Sequence, residues 1–301
     1  MTTEPTSFDL LFRSAVSAVD AGDVPGLERL LAAHPELASE RLEAPGQWLR
    51  DQVGGALDGF FARPYLLWFV SEDPKRHGRL PANIPDVARA IVAAARQQRA
   101  ASLQDQLDST LRLVSWSGVA ADAGAQIPLL DVLIDAGAAP AGNANNALVN
   151  GHVAAAKHLV ARGGELTLAS ALCLERWDAV PGLAAAASAA QKQFAFVLAA
   201  LNGKADAVAW MIDHGIAIDE PSADLYSHGR PLHHAVCSGS FETVKALVEA
   251  GADLDRPDTA WNGTPLGWAQ HYVEESGPDK RPGYLAIYNY LKERAAAPKR
   301  P

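Results

Sequence analysis

The amino-acid sequence predicts an all-α fold in which helix pairs stack into a solenoid. Hydrophobic residues make up 49% of the 301 positions, aromatic residues only 7%, and alanine is abundant. This composition is typical of helices that pack closely through small side chains. Glycines that suit helix ends also recur at a regular interval. We therefore expect one helical array over residues 1–301, with about seven to eight helix pairs.

The clearest helix pair lies between residues 229 and 258. Pro231 suits the first turn of a helix, where its missing N–H costs nothing. After a turn at Gly239, apolar residues fall on one face of a second helix, and Gly251 then suits the left-handed residue that ends it. Neither short helix can bury its apolar face alone, so each pair needs neighbours.

The same pattern recurs along the chain. Its turn positions are separated by 26, 26 and 36 residues, and its helix-ending glycines by 26, 52 and 36 residues. The turn positions and the helix-ending glycines thus share a spacing of 26 residues, of which 52 is a multiple, and both share the final step of 36. Agreement between these two independent markers indicates a true repeat. The turn positions are Gly151, Trp177, Gly203 and Gly239, and the helix ends are Gly137, Gly163, Gly215 and Gly251.

The stretch "GRPLHHAVCSGSFETVKALVEAGADLD" resembles the ankyrin repeat, whose first helix begins with T-P-L-H-x-A and whose second ends with G-A-D. Arg230 replaces the threonine here. The next unit, "NGTPLGWAQ", keeps the motif but has Gly267 in place of its histidine. The resemblance implies a divergent, bacterial-type ankyrin-repeat protein. It is strong in these units and weak but in register over most of the remainder.

The family's unit of ~33 residues contains two helices and a projecting β-hairpin finger. A spacing of 26 residues is too short to include the finger, so the resemblance implies shortened repeats without fingers over about residues 138–213. Fingers are expected near residues 218–230 and 252–263. Insertions rich in proline and charge, expected as loops, interrupt the array at residues 71–85 and 274–283.

Charge and cysteine usage narrow the functional class. The net charge of −9 argues against nucleic-acid binding, which requires a basic surface to displace counterions. No apolar run reaches the length of a membrane span, and the first residues lack the pattern of a secretory signal. Two cysteines are too few for a disulfide framework. We expect a cytoplasmic monomer that has no cofactor and contacts neither nucleic acid nor membranes.

Two adjacent histidines begin the first helix of the clearest pair. A metal or general-base site is one interpretation, but the sequence has no H-E-x-x-H, no C-x-x-C and no acidic or histidine cluster at ligand spacing. His233 fills the family's histidine position, which implies that it hydrogen-bonds to neighbouring backbone. His234 points about 100° away around the helix, and we expect it to line the inner groove. Cys237 could be a nucleophile with His234 as its base, but a small residue that fills the helix seam is the favoured interpretation.

In the ankyrin family, finger tips and the inner ends of first helices make the partner contacts. Tyr226 and Trp261 lie in predicted fingers, so both are expected to be exposed, as at protein-binding hot spots. Trp210 and Trp268 lie on apolar helix faces and are expected in the core. The resemblance implies these partner-binding residues: Tyr226, His228, Arg230, His234, Cys237, Ser238, Asp258, Trp261, Asn262, His271 and Tyr272.

Two functions remain open. The first is an interaction module that binds a partner protein or peptide on its concave face and finger tips, and the lack of any catalytic constellation favours it. The second is a small-molecule-binding protein or enzyme with a pocket in the solenoid groove, which the loop insertions and the aromatic residues near the groove favour. An enclosed pocket lined by Trp, Tyr and His would indicate the second function.

Overall fold

A computed structural model describes residues 7–296, which form seventeen α-helices and three short 3₁₀ helices. The 3₁₀ helices are Pro35–Ala38, Gly54–Asp58 and Leu66–Ser71. The α-helices are α1 (Ser7–Ala21), α2 (Val24–Ala33), α3 (Gln47–Val53), α4 (Ile84–Gln97), α5 (Leu103–Trp116), α6 (Gly118–Asp122), α7 (Gln126–Asp135), α8 (Asn143–Val149), α9 (Val153–Ala161), α10 (Leu168–Cys173), α11 (Val180–Ala186), α12 (Ala189–Leu201), α13 (Ala205–Asp213), α14 (Pro231–Ser238), α15 (Phe241–Glu249), α16 (Pro265–Glu275) and α17 (Arg281–Ala296).

The chain divides into two compact units, Met1–Glu165 and Leu166–Pro301. In the described part of the first unit, α1 packs with α2, the 3₁₀ helix Leu66–Ser71 with α4, α5 with α7, and α8 with α9. In the second unit, α10 packs with α11, α12 with α13, α14 with α15, and α16 with α17. The predicted all-α helical-repeat fold is confirmed. One continuous array over residues 1–301 stays a prediction.

Stacking between pairs buries the faces that single pairs leave open. In the second unit, first helices pack in the order α10, α12, α14 and α16, and α15 packs between α13 and α17. Within α15, Val244 and Leu247 are fully buried, while Ser240 caps the helix by accepting a hydrogen bond from the amide of Thr243. Because helices this short are unstable alone in water, packing supplies most of their stability.

Left-handed residues close the turns, as the glycine pattern predicts. The helix-ending glycines, Gly137, Gly163, Gly215 and Gly251, all have positive φ. One turn position is wrong, however. In the turn between α10 and α11 the left-handed residue is Glu175 (φ 60°) and not Trp177. The amide of Glu175 donates to the carbonyl of Leu172, three residues earlier. This bond is equivalent to the one that the amide of Gly203 donates to the carbonyl of Ala200 in the next turn. A strict 26-residue spacing pointed to Trp177, but the turn lies 24 residues after Gly151.

The connections between helix pairs fall into two lengths. Those between α7 and α8, α9 and α10, and α11 and α12 have seven, six and two residues. Those after α13 and α15 are much longer, and we name them the first finger (residues 214–230) and the second finger (residues 250–264). In the described part of the chain, one isolated antiparallel β-bridge, Ser222 to Leu225 in the first finger, is the only β-structure.

The two predicted insertions differ in structure. Residues 72–83 form a loop held by Glu72, whose buried carboxylate accepts hydrogen bonds from the amides of Arg76, His77 and Gly78 and pairs with the Arg76 guanidinium. Arg76 also pairs with Asp20 of α1 at 2.7 Å. Half of the second insertion is helical: α16 extends to Glu275 and α17 begins at Arg281, which leaves a five-residue linker.

Gly203→Val tests the turn between α12 and α13. Gly203 has φ +66°, and an added Cβ would lie 2.9 Å from the Cβ of Ser240. Backbone strain and this contact together are expected to lower the free energy of unfolding by about 1–3 kcal/mol, measured as the midpoint of urea denaturation.

Gly215→Val is the matched control, because Gly215 has φ +77° but no atom within 4 Å of an added Cβ. The control is expected to lose stability through backbone strain only. A Gly203→Val midpoint equal to or above that of Gly215→Val would contradict the role of the Ser240 contact.

Candidate functional site

The second finger is organised around one carboxylate. Asp258 is 3% exposed. Its Oδ1 accepts hydrogen bonds from the amides of Ala260 (2.8 Å) and Trp261 (2.6 Å), and its Oδ2 accepts from the amide of Gly263 (2.8 Å) and the indole of Trp268 (2.9 Å). Burial alone would raise the pKa of this carboxyl, but the four hydrogen bonds outweigh burial and lower the pKa to about 2. The tip is therefore fixed by an ionised group.

The first finger turns its arginine inward. Arg230 donates from Nη1 to the carbonyl of Asp219 at 2.5 Å. Tyr226, directly after the bridged residue Leu225, has φ 42° and a side chain that is 47% exposed. The arginine thus holds the base of the finger, while the tyrosine ring is partly exposed to solvent.

Backbone and side-chain hydrogen bonds join the two fingers. The amide of Thr259 donates to the carbonyl of His228 at 3.0 Å, and the amide of Asp253 donates to Oδ1 of Asp219 at 3.1 Å. A third connection runs through His233, described next. The two fingers are therefore joined at several points along their length.

His233 braces the second finger from the start of α14, as the resemblance implies. Its Nδ1 accepts a hydrogen bond from the amide of Arg230 (3.2 Å), so in the neutral ring Nε2 carries the proton and donates to the carbonyl of Gly263 (3.0 Å). Burial lowers the pKa of His233, which keeps the ring neutral in this role.

His234 was expected to line the inner groove, but it is 2% exposed. Its ring packs against Gly229, where an added Cβ would lie 2.9 Å from the imidazole. Burial, and secondarily the charges of His228 and His233, lower the pKa of His234 to about 4. As the pH falls from about 6.5 towards 4, the unfolded chain takes up a proton that the folded chain does not, so the site loses stability across that range.

Aromatic rings cover the joined fingers. Trp261 is 70% exposed, and its ring lies 4.9 Å from His228 and 5.8 Å from Trp268, centroid to centroid. His228 also lies 6.1 Å from both Tyr226 and Trp268. We call Tyr226, His228, His234, Trp261 and Trp268 the aromatic cluster. Since its rings contact each other, it forms a packed surface that presents one largely exposed indole.

The family model for ankyrin repeats (3 copies) matches residues 119–258. These residues of the chain are ankyrin repeats. Ankyrin repeats are generally protein–protein interaction modules. The crystal structure of the human ASB11 ankyrin repeat domain aligns with 72% of this chain and 98% of that domain, at 16% identity and a TM-score of 0.35. No match was found among the curated proteins.

The remaining predicted contact residues of this ankyrin-repeat protein lie on the inner helices and at the finger tip. Asn262 and His271 are exposed, and Ser238 is half-buried. Tyr272 donates from its hydroxyl to Sγ of Cys237 at 3.0 Å. Its ring stacks on Tyr284 at 4.9 Å, and burial raises its pKa. Cys237 is thus packed in a seam between α14, α16 and α17.

Sequence reasoning missed Trp268 and misplaced Trp210. Both were expected in the core, yet both are half-buried. Trp268 is anchored to Asp258 and joins the aromatic cluster, while Trp210 stacks on His214 at 3.7 Å. Helical periodicity placed Trp268 on an apolar face, but its indole N–H requires a polar partner when buried. The nearby Asp258 was the available signal.

Three further properties of the described residues bear on function. Residues 7–296 hold no group of three or more His, Cys, Asp or Glu side chains arranged for a metal ion. A depression of about 240 Å³ in the first unit lies between α4 and α7 and is lined by arginine, aspartate and small apolar residues, without Trp, Tyr or His. Within residues 7–296, no helix has the length and apolar character needed to cross a membrane.

Asp258→Asn tests the clamp on the second finger. Because the pKa of Asp258 is lowered, its ionised carboxylate stabilises the fold at every pH above about 4, the ordinary pKa of an aspartate. This contribution disappears as the pH falls towards 2. The variant should therefore lose about 1–2 kcal/mol at pH 7 in urea denaturation. Its deficit relative to the unsubstituted protein should shrink at about pH 3.

Asp122→Asn is the control, because Asp122 is an exposed residue at the end of α6. It should have little effect at either pH. A stability of Asp258→Asn equal to that of the unsubstituted protein at pH 7 would contradict the clamp.

Proposed function

We propose that this ankyrin-repeat protein binds a partner protein or peptide through its two joined fingers, with Trp261 as the anchor. The observation that carries the proposal is the 70% exposure of the Trp261 side chain on a backbone whose amide is held by Asp258. A large apolar side chain that is fixed in place but left in solvent is typical of an interaction hot spot.

The energetics favour an anchor at this position. An indole can bury roughly 200 Å² at an interface, and its exposed part would contribute about 3–4 kcal/mol at about 25 cal/mol per Å². Because the finger tip is already ordered, little backbone entropy is lost on binding. The indole N–H of Trp261 has no acceptor among residues 7–296, so it can also donate to the partner.

The predicted contact residues divide into two groups in this proposal. Tyr226, Asn262 and His271 are exposed and can contact the partner around Trp261, with half-buried His228 beside the indole. Ser238, Cys237 and Tyr272 line the adjoining inner helices. Asp258, His234 and Arg230 are engaged or buried within the protein, so we assign them the role of positioning the fingers.

The packing of the aromatic cluster supports a protein or peptide partner over a small molecule. Ring centroids in the cluster are separated by 4.9–6.4 Å, which are contact distances for aromatic pairs. The rings therefore fill the space between the fingers with each other. A surface without an enclosed space, from which one indole is exposed, favours contact with the surface of a protein or peptide.

Trp261→Ala tests the anchor. Both proteins are immobilised, exposed to lysate of the source cells, and the captured proteins are quantified by mass spectrometry. Losing an anchor costs at least ~2 kcal/mol, about thirtyfold in affinity. We expect the specific partners to disappear from the variant, while its melting temperature changes little because the side chain is mostly in solvent.

Trp177→Ala is the matched control, since Trp177 is a second exposed tryptophan in the same unit, 39% exposed. It should retain the captured set. If Trp261→Ala melts several degrees lower while capture per folded molecule is unchanged, Trp261 is a structural plug and the proposal is wrong.

A further inference from the structure

The two fingers carry an excess of acidic residues. Residues 214–230 and 250–264 contain six acidic and two basic side chains, a net charge of −4 out of −9 for the whole chain. The acidic residues are Asp219, Glu220, Asp224, Asp253, Asp255 and Asp258, and the basic residues are Arg230 and Arg256. A surface with this excess attracts positive charge.

Both arginines are already engaged within the fingers. Arg230 donates inward to the carbonyl of Asp219, and Arg256 pairs with Asp253 at 3.4 Å. In contrast, Glu220 and Asp224 of the first finger are exposed, and no basic side chain of residues 7–296 pairs with either. The first finger, which also carries Tyr226 and His228 of the aromatic cluster, therefore presents two uncompensated carboxylates.

The exposed indole favours the same kind of ligand. Tryptophan is the best aromatic partner for a cation over its ring face. The ring planes of its neighbours are steeply inclined to the Trp261 ring, His228 by 82° and Trp268 by 60°, so neither neighbour is stacked on the indole. With 70% of the side chain exposed, at least one ring face is open to a cationic group.

We propose that the fingers bind a basic peptide segment of the partner, with an arginine or lysine side chain over Trp261 and a further basic residue facing Glu220 and Asp224. This inference rests on the proposed function and specifies its partner. Arginine fits the indole better than lysine because its planar guanidinium stacks on the ring. The excess of carboxylates excludes an acidic segment by like-charge repulsion.

Indole N–H resonances test the proposal directly. The full chain has seven tryptophans, so nitrogen-15 labelling of tryptophan gives few signals, and Trp261→Phe identifies that of Trp261. Three synthetic peptides serve as probes: GSRGSRGSRG and its counterparts with glutamine or glutamate at the arginine positions. We expect the arginine peptide to shift the Trp261 signal at up to about 5 mM, more weakly as salt rises from about 50 to about 300 mM.

The second part of the experiment removes the negative charges of the first finger. The double variant Glu220→Gln/Asp224→Asn should weaken binding of the arginine peptide about threefold to tenfold. The matched control, Asp122→Asn/Glu165→Gln, removes the same charge from two exposed positions of the first unit and should leave binding unchanged.

The results separate this inference from the proposed function. Three results would overturn the inference that the ligand is a basic segment. They are equal shifts with the arginine and glutamine peptides, no shift with the arginine peptide, and equal effects of the two double variants. If Trp261→Ala still abolishes lysate capture, the proposed function stands without it. If Trp261→Ala leaves capture intact, the proposed function itself fails.

Discussion

The carboxylate of Asp258 determines the geometry of the candidate site. It accepts four hydrogen bonds, three from backbone amides of the finger tip and one from the Trp268 indole. A short loop has too few backbone partners to satisfy its own N–H groups, and a buried unsatisfied group costs about 1–3 kcal/mol. One ionised side chain satisfies them together. The same bonds fix the direction in which Trp261 leaves the backbone.

The helical scaffold makes this arrangement possible. Pro231 and Gly239 bound α14, which places His233 where its Nε2 meets the carbonyl of Gly263, thirty residues later. Each pair in the second unit packs on its neighbour, so the ends of adjacent first helices are held in register. Each finger connects to the end of a stacked helix, so the stacking of the helices sets the distance between the fingers. Additional hydrogen bonds are required only to order the finger tips.

Local sequence signals predicted the repeat well, because a left-handed turn or a helix start is decided by a few adjacent residues. The helix-ending glycines, the Pro231 start and the His233 brace are all of this kind. Exposure of Trp261 and Tyr226 followed from their positions outside any apolar face. Glu175 was missed because a left-handed glutamate has no favourable local signal, and the rigid spacing pointed to Trp177.

Long-range contacts were the part that sequence could not supply. Burial of His234 depends on how the first finger folds over α14, and the position of Trp268 depends on Asp258, ten residues away in a different element. Asp258 was predicted among the partner contacts because family fingers are contact surfaces. Its role within the tip is visible only once the hydrogen bonds of the loop are known.

The central claim is that Trp261 is held rigid before any partner binds. Amide hydrogen exchange of the free protein tests it most directly, at the N–H groups of Trp261 and Gly263, which donate to Asp258. Both are predicted to exchange more slowly than unstructured peptide by about tenfold or more at pH 7. Exchange at the unstructured rate would show that the tip is open in solution and would contradict the account.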